Sequence, residues 1–280
     1  MLPRKLIIFD YSGTLSLEST LFGRPDYLMN QLRNCGLTDM GITNPSIFWE
    51  QIVNPTWVEG STTQVGYKRI IEDKISAILH QNISNVSREK ISDTATLFVD
   101  SYLSHSRIDG RWQPVLDKLN RYPSVRAIIA TDHYAEATGY ILKFLEDLHI
   151  QAFAARAAMA APGSTAVIVA NSADLGFHKD NYRFWEILKN GLHIGGVRQV
   201  LLIDDFGGNE EQGNSYSAPE KVDQRKRETG RLLQEFFSAE VRIIPFIIQD
   251  YKNEKDISDL ITRTSAIIDR FLAASDGLMI

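Results

Sequence analysis

Hydrophobic residues in this chain fall into two patterns, short continuous runs and longer stretches with a helical period. The continuous runs do not alternate with polar residues, which is typical of strands that are buried on both faces of a parallel sheet. Five runs have this character: KLIIF (5–9), VRAIIA (125–130), TAVIVA (165–170), QVLLID (199–204) and VRIIPFII (241–248). We predict a strand at each of them.

Stretches in which apolar residues recur every three or four positions lie between these runs and after the last one. This spacing places apolar side chains on one face of a helix. The predicted helices cover 135–148, 181–192, 222–237 and 258–274. Strands that alternate with helices predict an α/β fold whose core is a doubly wound, Rossmann-like parallel sheet. Ligands of such sheets bind beside the carboxyl ends of the strands, near the point where the strand order reverses.

One long stretch, residues 17–112, breaks this alternation. It is mostly helical in pattern, is rich in Trp, Phe and Tyr, and contains no strand-like run. An ordinary crossover between the first two predicted strands needs far fewer residues. We therefore predict an α-helical domain at 16–113, inserted into an α/β core made of 1–15 and 114–280. A further segment, 206–220, is rich in Gly, Asn and Ser and predicts a long, mobile loop.

The composition of the chain favours a globular protein and excludes several functions. Its 280 residues are 44% hydrophobic, which is enough for a sizeable core. The net charge of -5 gives no overall attraction to nucleic acid. The basic segment 221–231 is interrupted by Asp223 and Glu228, so we expect it to be the polar face of an amphipathic helix. Cys35 is the only cysteine, so no intrachain disulfide forms.

The hydrophobic runs also bear on the location of the protein. None reaches the length of a transmembrane helix, and the first is interrupted by Asp10 before it reaches the length of a signal-peptide core. We expect a cytoplasmic protein, a monomer or homodimer, with neither nucleic acid nor a membrane as its partner.

Polar and acidic residues stand at the ends of three of the predicted strands. Asp10 follows the first strand, Thr131 follows the second, and Asp204 and Asp205 lie at the end of the fourth. Lys179 stands just before a predicted helix. The three acids suit Mg²⁺, and a carboxylate beside magnesium can attack phosphorus because the metal neutralises the incoming phosphate. Threonine can donate to a phosphate oxygen, and lysine can offset the clustered negative charge.

These residues resemble, in type and order, the four motifs of the haloacid dehalogenase (HAD) superfamily of hydrolases. The motifs are a strand followed by Asp-x-Asp-Gly-Thr, a strand ending in Ser or Thr, a Lys at a helix start, and a strand with paired acids. The matching positions are Asp10-Tyr11-Ser12-Gly13-Thr14, Thr131, Lys179 at the end of ANSADLGFHK, and Asp204-Asp205 with Asn209 four residues further on. The resemblance covers 1–15 and 114–280, whereas 16–113 match only in placement, as the helical cap that many members insert.

The resemblance implies a magnesium-dependent hydrolase. The expected activity is that of a phosphatase, which acts on a small phosphorylated metabolite through an aspartyl-phosphate intermediate on Asp10. The residues implied to be catalytic are Asp10, Ser12, Thr131 and Lys179. Those implied to bind phosphate are Thr131, Asp132 and Lys179. Those implied to hold Mg²⁺ are Asp10, Ser12 through its backbone carbonyl, Asp204 and Asp205.

Ser12 departs from the pattern of the family. Phosphatases that the chain resembles carry a second Asp at this position, which protonates the leaving oxygen and then deprotonates the attacking water. A serine hydroxyl is a poor acid and a poor base near neutral pH, and losing such a group typically costs about two to four powers of ten in rate. If Ser12 alone limits turnover, Ser12→Asp is expected to raise it by up to about a hundredfold.

Three explanations of Ser12 are compatible with the sequence. In the first, the protein is a phosphatase whose acid–base function is reduced or relocated. His133 is a candidate because imidazole titrates in the useful range, although a packing or capping role in its loop is the simpler interpretation. In the second, the protein is a phosphonatase-type C–P hydrolase, which needs a cap lysine to form a Schiff base, and Lys68 and Lys74 are candidates. In the third, catalysis is lost, and the protein binds a phosphorylated ligand or a partner.

The other motifs help to choose among these explanations. Asp10, Lys179 and the acid pair are all retained, which favours an enzyme. The acid pair also argues against a haloacid dehalogenase activity, because enzymes with that activity need no magnesium. Substrate choice is expected to come from the cap. The charged and aromatic cap residues that we consider for the pocket are Arg24, Trp49, Trp57, Lys68, Arg69 and Arg107.

Overall fold

Six parallel strands form a sheet at the centre of the protein, whose computed structural model describes residues 3–81, 86–160, 166–210 and 217–274. The strands are β1 (Lys5–Phe9), β2 (Val125–Thr131), β3 (Ala152–Ala154), β4 (Val167–Asn171), β5 (Gln199–Asp204) and β6 (Glu240–Pro245). Their order across the sheet is β3-β4-β2-β1-β5-β6. Every neighbouring pair is parallel, so the protein is an α/β protein with an all-parallel sheet.

Helices connect the strands. They are α1 (Glu18–Phe22), α2 (Pro25–Asn34), α3 (Pro45–Phe48), α4 (Asn54–Thr62), α5 (Tyr67–Gln81), α6 (Arg88–His105), α7 (Gln113–Leu119), α8 (Ala137–Asp147), α9 (Ala155–Ala160), α10 (Ser172–Leu175), α11 (Tyr182–Gly191), α12 (Pro219–Phe237) and α13 (Glu254–Ala273). Short 3₁₀ turns occur at Thr38–Met40 and Gly110–Trp112, and a π-helical turn at Trp49–Val53. Among the described helices, none is both long enough and apolar enough to cross a bilayer.

The strand order reverses beside β1. The chain builds the sheet outward from β1 through β2 to β4, and then returns to place β5 on the other side of β1. The registers put Phe9 opposite Ile129 on one side and Ile203 on the other. Residues that follow β1 and β5 therefore lie next to each other at the carboxyl edge, where α/β sheets bind their ligands.

Both faces of the sheet are buried. Along β1, Ile7 and Phe9 belong to one buried apolar cluster, and Leu6 and Ile8 belong to a second. Successive side chains of a strand point to opposite faces, so burial on both faces requires an apolar residue at every position. This is why the central strands appear in the sequence as continuous hydrophobic runs.

The described residues between β1 and β2 form α1 to α7 and contribute no strand to the sheet. Their apolar side chains, including those of Phe98 and Trp112, pack in the same buried cluster as Phe9 of β1. Phe9 and Trp112 meet edge to face, with ring centroids 5.8 Å apart. The division of this helical region from the sheet as a separate domain remains a prediction.

The strands at the two edges differ from the sequence-based expectation. β3 was not predicted, because its apolar stretch, Ala-Phe-Ala, is only three residues long. β6 ends at Pro245, although its hydrophobic run continues to residue 248. The chain leaves the sheet there, and the N–H of Ile248 donates to the Asn209 side chain. Of the loop predicted at 206–220, positions 211–216 lie outside the described residues, and α12 begins at Pro219.

Candidate active site

Three carboxyl groups meet where the strand order reverses. Asp10 follows β1 directly, Asp204 is the last residue of β5, and Asp205 comes next. The three side chains are buried, and one oxygen atom of each lies within 4.8 Å of the others. The backbone N–H of Asp10 donates to the carbonyl of Ile203 at 2.8 Å, which locks the end of β1 to β5. The acids predicted from the strand ends are thus brought together.

Lys179 enters the cluster from the segment between α10 and α11. Its ammonium group donates to Oδ1 of Asp10 at 2.5 Å and to Oδ2 of Asp204 at 3.0 Å. The main chain of Lys179 is fixed on both sides. Its N–H donates to Oδ1 of Asp132 at 2.9 Å, and its carbonyl accepts the indole N–H of Trp185 at 2.8 Å. Asp132, predicted to bind phosphate, therefore also positions the lysine.

The charges in this cluster do not balance. Three carboxylates face one ammonium group, which leaves an excess of two negative charges when all are ionised. Burial, opposed by Lys179 and reinforced by Asp204, raises the pKa of Asp10 to about 7. Burial and then repulsion from Asp10 and Asp204 raise the pKa of Asp205 well above its usual range. Burial disfavours the Lys179 cation, but the surrounding carboxylates outweigh it and hold its pKa well above the ordinary value.

The loop after Asp10 is built by Gly13 and Thr14. Gly13 has φ of +77°, and a Cβ atom there would lie 2.5 Å from Oδ2 of Asp205, so glycine is required on both counts. The hydroxyl of Thr14 accepts the N–H of Asp205 at 3.2 Å. The carbonyl of Thr14 accepts the indole N–H of Trp112 at 3.0 Å. The Gly-Thr pair therefore ties the first loop to the acid pair.

A tight turn orients Asp205. Its Oδ1 accepts the N–H of Gly207 at 3.1 Å, and its Oδ2 accepts the N–H of Asn209 at 3.0 Å. Phe206 and Gly207 both have positive φ, at 53° and 74°. A non-glycine residue in this conformation is strained, and such strain is concentrated at functional sites.

The buried side chain of Asn209 holds its own loop, the loop after β1 and the segment after β6 together. Its amide nitrogen donates to the carbonyls of Gly13 and Phe246, both at 2.7 Å, and its amide oxygen accepts the N–H of Ile248 at 2.8 Å. The side chain thus joins the loop after β1 to the segment after β6. This is the position that the sequence resemblance marked as a polar residue of the fourth motif.

The remaining predicted site residues lie at the same edge of the sheet. Thr131 is the buried last residue of β2 and pairs with Asn171 of β4. Ser12 is half-buried in the loop after β1, where it forms a bridge with Ser16. Ser12 supplies a hydroxyl, not a carboxyl group, to this otherwise acidic site.

His133 is unsuited to replace the missing acid. Its Nδ1 accepts the N–H of Tyr134 at 2.8 Å, which leaves Nε2, 3.1 Å from the hydroxyl of Tyr102, to carry the proton. Burial lowers the pKa of His133 to about 4, so the imidazole stays neutral near pH 7. The structure therefore supports the packing interpretation of this residue.

Helices from the region between β1 and β2 lie against the loops at the carboxyl edge. Tyr67 of α5 stacks on Tyr134, with ring centroids 3.8 Å apart and planes 3° apart. Glu136 accepts the N–H groups of Tyr67 and Lys68, at 2.8 and 3.1 Å, and so satisfies the start of α5. Ser61 of α4 lies 2.6 Å from Nε2 of His178, the neighbour of Lys179.

Two of the residues considered for the pocket contact residues beside the acidic cluster. The guanidinium group of Arg24 lies 4.8 Å from the ring centroid of Tyr251, whose hydroxyl donates to the carbonyl of Asn209 at 3.2 Å. The ring of Trp57 stacks on His178 with centroids 6.2 Å apart. These contacts make Arg24 and Trp57 the better candidates.

The other residues considered for the pocket are engaged elsewhere. Lys68 forms an ion pair of 2.8 Å with Asp100, and Arg69 forms one of 3.0 Å with Asp73 on its own helix. Trp49 packs against Phe48, and Arg107 donates to the carbonyl of Ser104. The ion pair also engages the amine of Lys68, the group that a Schiff-base role requires.

Glu210 is a candidate that the sequence reasoning missed, because no motif marks it. Burial raises the pKa of this half-buried residue to about 7, against a lowering by Arg225. Two half-buried tyrosines, Tyr102 and Tyr251, interact with its charge. Burial and then Glu210 raise the pKa of Tyr102. Burial, then Asp205 and Glu210, raise that of Tyr251. In the sequence, the only indication of a role for Glu210 was its position directly after Asn209.

The donor set of the cluster fits magnesium. Its ligands would be hard carboxylate oxygens on three converging residues, and the excess of two negative charges matches a divalent cation. The fold and the site thus define an α/β protein with a buried acidic centre at the carboxyl edge of a parallel sheet. No protein-family model matches the chain, and no curated protein matches it.

Proposed function

We propose that this protein is a HAD-like, magnesium-dependent hydrolase, most simply a phosphatase acting on a small phosphorylated metabolite. The observation that carries the proposal is the convergence of Asp10, the acid pair and Lys179 at the point where the strand order reverses. The order of these residues along the chain resembles that of the family motifs. The proposal includes a Rossmann-like core with a helical cap inserted between β1 and β2.

Each residue has a chemical role in this proposal. Asp10 would attack the phosphorus through a carboxylate oxygen, forming an aspartyl-phosphate that water then hydrolyses. Lys179, which already pairs with Asp10, would offset the charge of the transferring group. Thr131, at the end of the neighbouring strand, would donate its hydroxyl proton to a phosphate oxygen. Asp132 would keep Lys179 in place through the backbone contact of 2.9 Å.

The metal-binding residues would be Asp10, the Ser12 carbonyl, Asp204 and Asp205. Magnesium bound there would supply positive charge that permits a carboxylate to approach an anionic phosphate. The protein prepares this site in two ways. Backbone N–H groups fix both oxygens of Asp205, and Gly13 leaves room for them. The elevated pKa values of Asp10 and Asp205 also indicate a site that lacks compensating positive charge.

The helices that contact the carboxyl edge support a small substrate. Tyr67 and Ser61 lie on helices of the proposed cap and contact the loops that carry His133 and Lys179. Such a cover excludes water from the site, which strengthens electrostatic interactions within it. It also restricts access to a compact molecule rather than a polymer.

A screen of phosphate esters and phosphonates, with and without Mg²⁺, tests the proposal. We expect Mg²⁺-dependent release of phosphate from esters, and loss of this activity in Asp10→Asn. Preferential cleavage of phosphonates would instead indicate the phosphonatase-type C–P hydrolase. Binding of a phosphorylated ligand without turnover would indicate a non-catalytic HAD-like protein. Phosphate release that is unaffected by Asp10→Asn would overturn the assignment of the nucleophile.

A further inference from the structure

We propose that His178 is the positioning residue of Lys179. Helix α4, which lies between β1 and β2 in the chain, holds the imidazole ring of His178, and the held ring keeps the neighbouring lysine directed at Asp10. The inference rests on the catalytic role proposed for Lys179 above, and it names a residue that acts on the reaction through that lysine. Docking of α4 then becomes a condition for a correctly placed catalytic cation.

Lys179 lies in a surface loop, so its direction depends on the contacts that hold the loop. Residues 176–181 join α10 to α11, and three of these six residues are exposed. Asp132 and Trp185 fix the main chain of Lys179, as described above. The side chain of His178 adds a contact with a different part of the fold. A catalytic group on a loop requires such support to keep its geometry.

One face of α4 packs against this loop and against the loop that follows β2. Trp57, Gly60 and Ser61 share that face, because they are spaced three and four residues apart on a helix. The indole ring of Trp57 stacks on His178, with centroids 6.2 Å apart, and meets Tyr134 edge to face at 5.5 Å. A Cβ atom on Gly60 would lie 2.4 Å from the ring of Tyr134, so glycine permits this close approach. Helix α4 is therefore seated against both loops.

The hydroxyl group of Ser61 sets the direction of its hydrogen bond with His178. Ser61 is fully buried, and its Oγ atom donates to the carbonyl of Trp57 at 2.5 Å. A hydroxyl group has one proton, so Oγ accepts from the Nε2–H of His178, 2.6 Å away. Nε2 carries a proton in this neutral tautomer and also in the charged imidazole. The contact therefore persists in both charge states of the ring.

A shift of His178 would be passed on to the ammonium group of Lys179. Lys179 follows His178 directly, and its ammonium group donates to Asp10 at 2.5 Å and to Asp204 at 3.0 Å. The stem of a lysine side chain is flexible, so the place of its ammonium group depends on where the main chain is held. Misplacing a catalytic group by about 1 Å can cost about a hundredfold in rate. His178 is thus placed to act on kcat through Lys179.

The first experiment measures kcat and KM for the full chain at saturating Mg²⁺ with p-nitrophenyl phosphate. His178→Gln keeps an N–H donor for Ser61 but loses the stacked ring, whereas His178→Phe keeps a ring for Trp57 but loses the donor. We expect His178→Phe to lower kcat about ten- to a hundredfold with KM within about twofold of the parent, because the lysine acts in the transition state. His178→Gln should stay within about threefold of the parent in kcat, because it keeps the hydrogen bond. His80→Phe, at an exposed position at the end of α5, is the matched control.

Ser61→Ala tests the same hydrogen bond from the side of α4. It should lower kcat about as much as His178→Phe does. The double variant should lose no more than either single variant, because both substitutions remove one contact. Additive losses in kcat would overturn the inference. So would an unchanged kcat in His178→Phe, a loss in His178→Gln as large as that in His178→Phe, or a rise in KM alone.

A measurement without substrate separates this inference from the proposed function. Brief acetylation of the full chain with acetic anhydride in the presence of Mg²⁺, followed by mass spectrometry, reports the reactivity of each lysine. Lys179 should react slowly in the parent, because two carboxylates keep its amine protonated. In His178→Phe it should react several times faster relative to the surface residue Lys118. If the parent hydrolyses no ester but this rise is found, the proposed function fails and the positioning role stands. Equal reactivity of Lys179 in the parent and in His178→Phe would overturn the positioning role, whatever the turnover.

Discussion

The ammonium group of Lys179 lies 2.5 Å from Oδ1 of Asp10, the residue proposed as the nucleophile. It is also within 3.0 Å of Asp204, so one cation serves two carboxylates, while Asp205 is left to repulsion from its neighbours. Burial of unbalanced charge is costly in a folded protein. A cation bound at this site, as we propose, would offset that cost.

Replacing Lys179 with methionine is expected to lower kcat/KM for phosphate esters by about a hundredfold or more, because the charge that offsets the phosphate is lost. Lys179 also lowers the pKa of Asp10, so its removal raises that pKa further. The acid limb of the pH–rate profile should move to higher pH. Lys118→Met, which removes a surface ion pair with Asp269, is the control. An unshifted acid limb would contradict the role of the lysine.

Without metal, the protein is expected to become less stable as the pH rises. The folded-state pKa of Asp10 is about 7, above its ordinary value of 3.8, and that of Asp205 is also raised. The folded protein therefore binds more protons than the unfolded one between about pH 4 and 7, and the free energy of unfolding falls as pH rises through this window. Urea unfolding with a chelator at about pH 6 and 8 measures the fall. Mg²⁺ should reverse it, because ligand that binds only the folded state stabilises it.

Asp205→Asn should separate stability from metal binding. Removing one of three clustered carboxylates relieves repulsion, although the amide keeps only one oxygen for the N–H groups of Gly207 and Asn209. The metal-free stability of the variant should therefore depend less on pH between about pH 4 and 7 than that of the parent. The same variant should lose most of the stabilisation by Mg²⁺, measured by thermal unfolding with and without the metal. If Asp205→Asn is stabilised by Mg²⁺ as strongly as the parent, Asp205 is not a metal ligand.

Much of this site could be predicted from the sequence because it lies at strand ends. The runs that end at Asp10 and Asp204 are continuous and buried on both faces, so their positions are evident from hydrophobicity alone. Parallel topology then brings the two ends together. The edge strand β3 lacks this signal, because it is only three residues long and its side chains are not fully buried.

Contacts that depend on loop geometry could not be predicted in the same way. The turn at Phe206 and Gly207 aims backbone N–H groups at Asp205, and no residue type in the chain encodes that direction. His133 was considered for its chemistry, but its burial removes that chemistry.

Asn209→Ala is expected to destabilise the protein by about 2 to 4 kcal/mol, because it leaves the carbonyls of Gly13 and Phe246 and the N–H of Ile248 without their buried partner. Chemical unfolding at saturating Mg²⁺ measures the loss. Asn30→Ala, at an exposed position on α2, should change stability by less than about 0.5 kcal/mol. A loss at Asn209 no larger than at Asn30 would show that the brace contributes little.

The final prediction concerns Ser12. If Ser12 alone limits an otherwise intact phosphatase, Ser12→Asp returns an acid to the site, and kcat/KM toward an alkyl phosphate should rise by up to about a hundredfold. The measurements need saturating Mg²⁺, since a new carboxylate near Asp10 and Asp205 increases repulsion that the metal and Lys179 must offset.

The direction of the change decides what Ser12 does. A large gain in Ser12→Asp would show that the serine limits the reaction. Unchanged or lower phosphate-ester hydrolysis would show that it does not, and would favour phosphonate cleavage or a protein that binds without turnover. Asp10→Asn should abolish turnover with either residue at position 12, because it removes the proposed nucleophile.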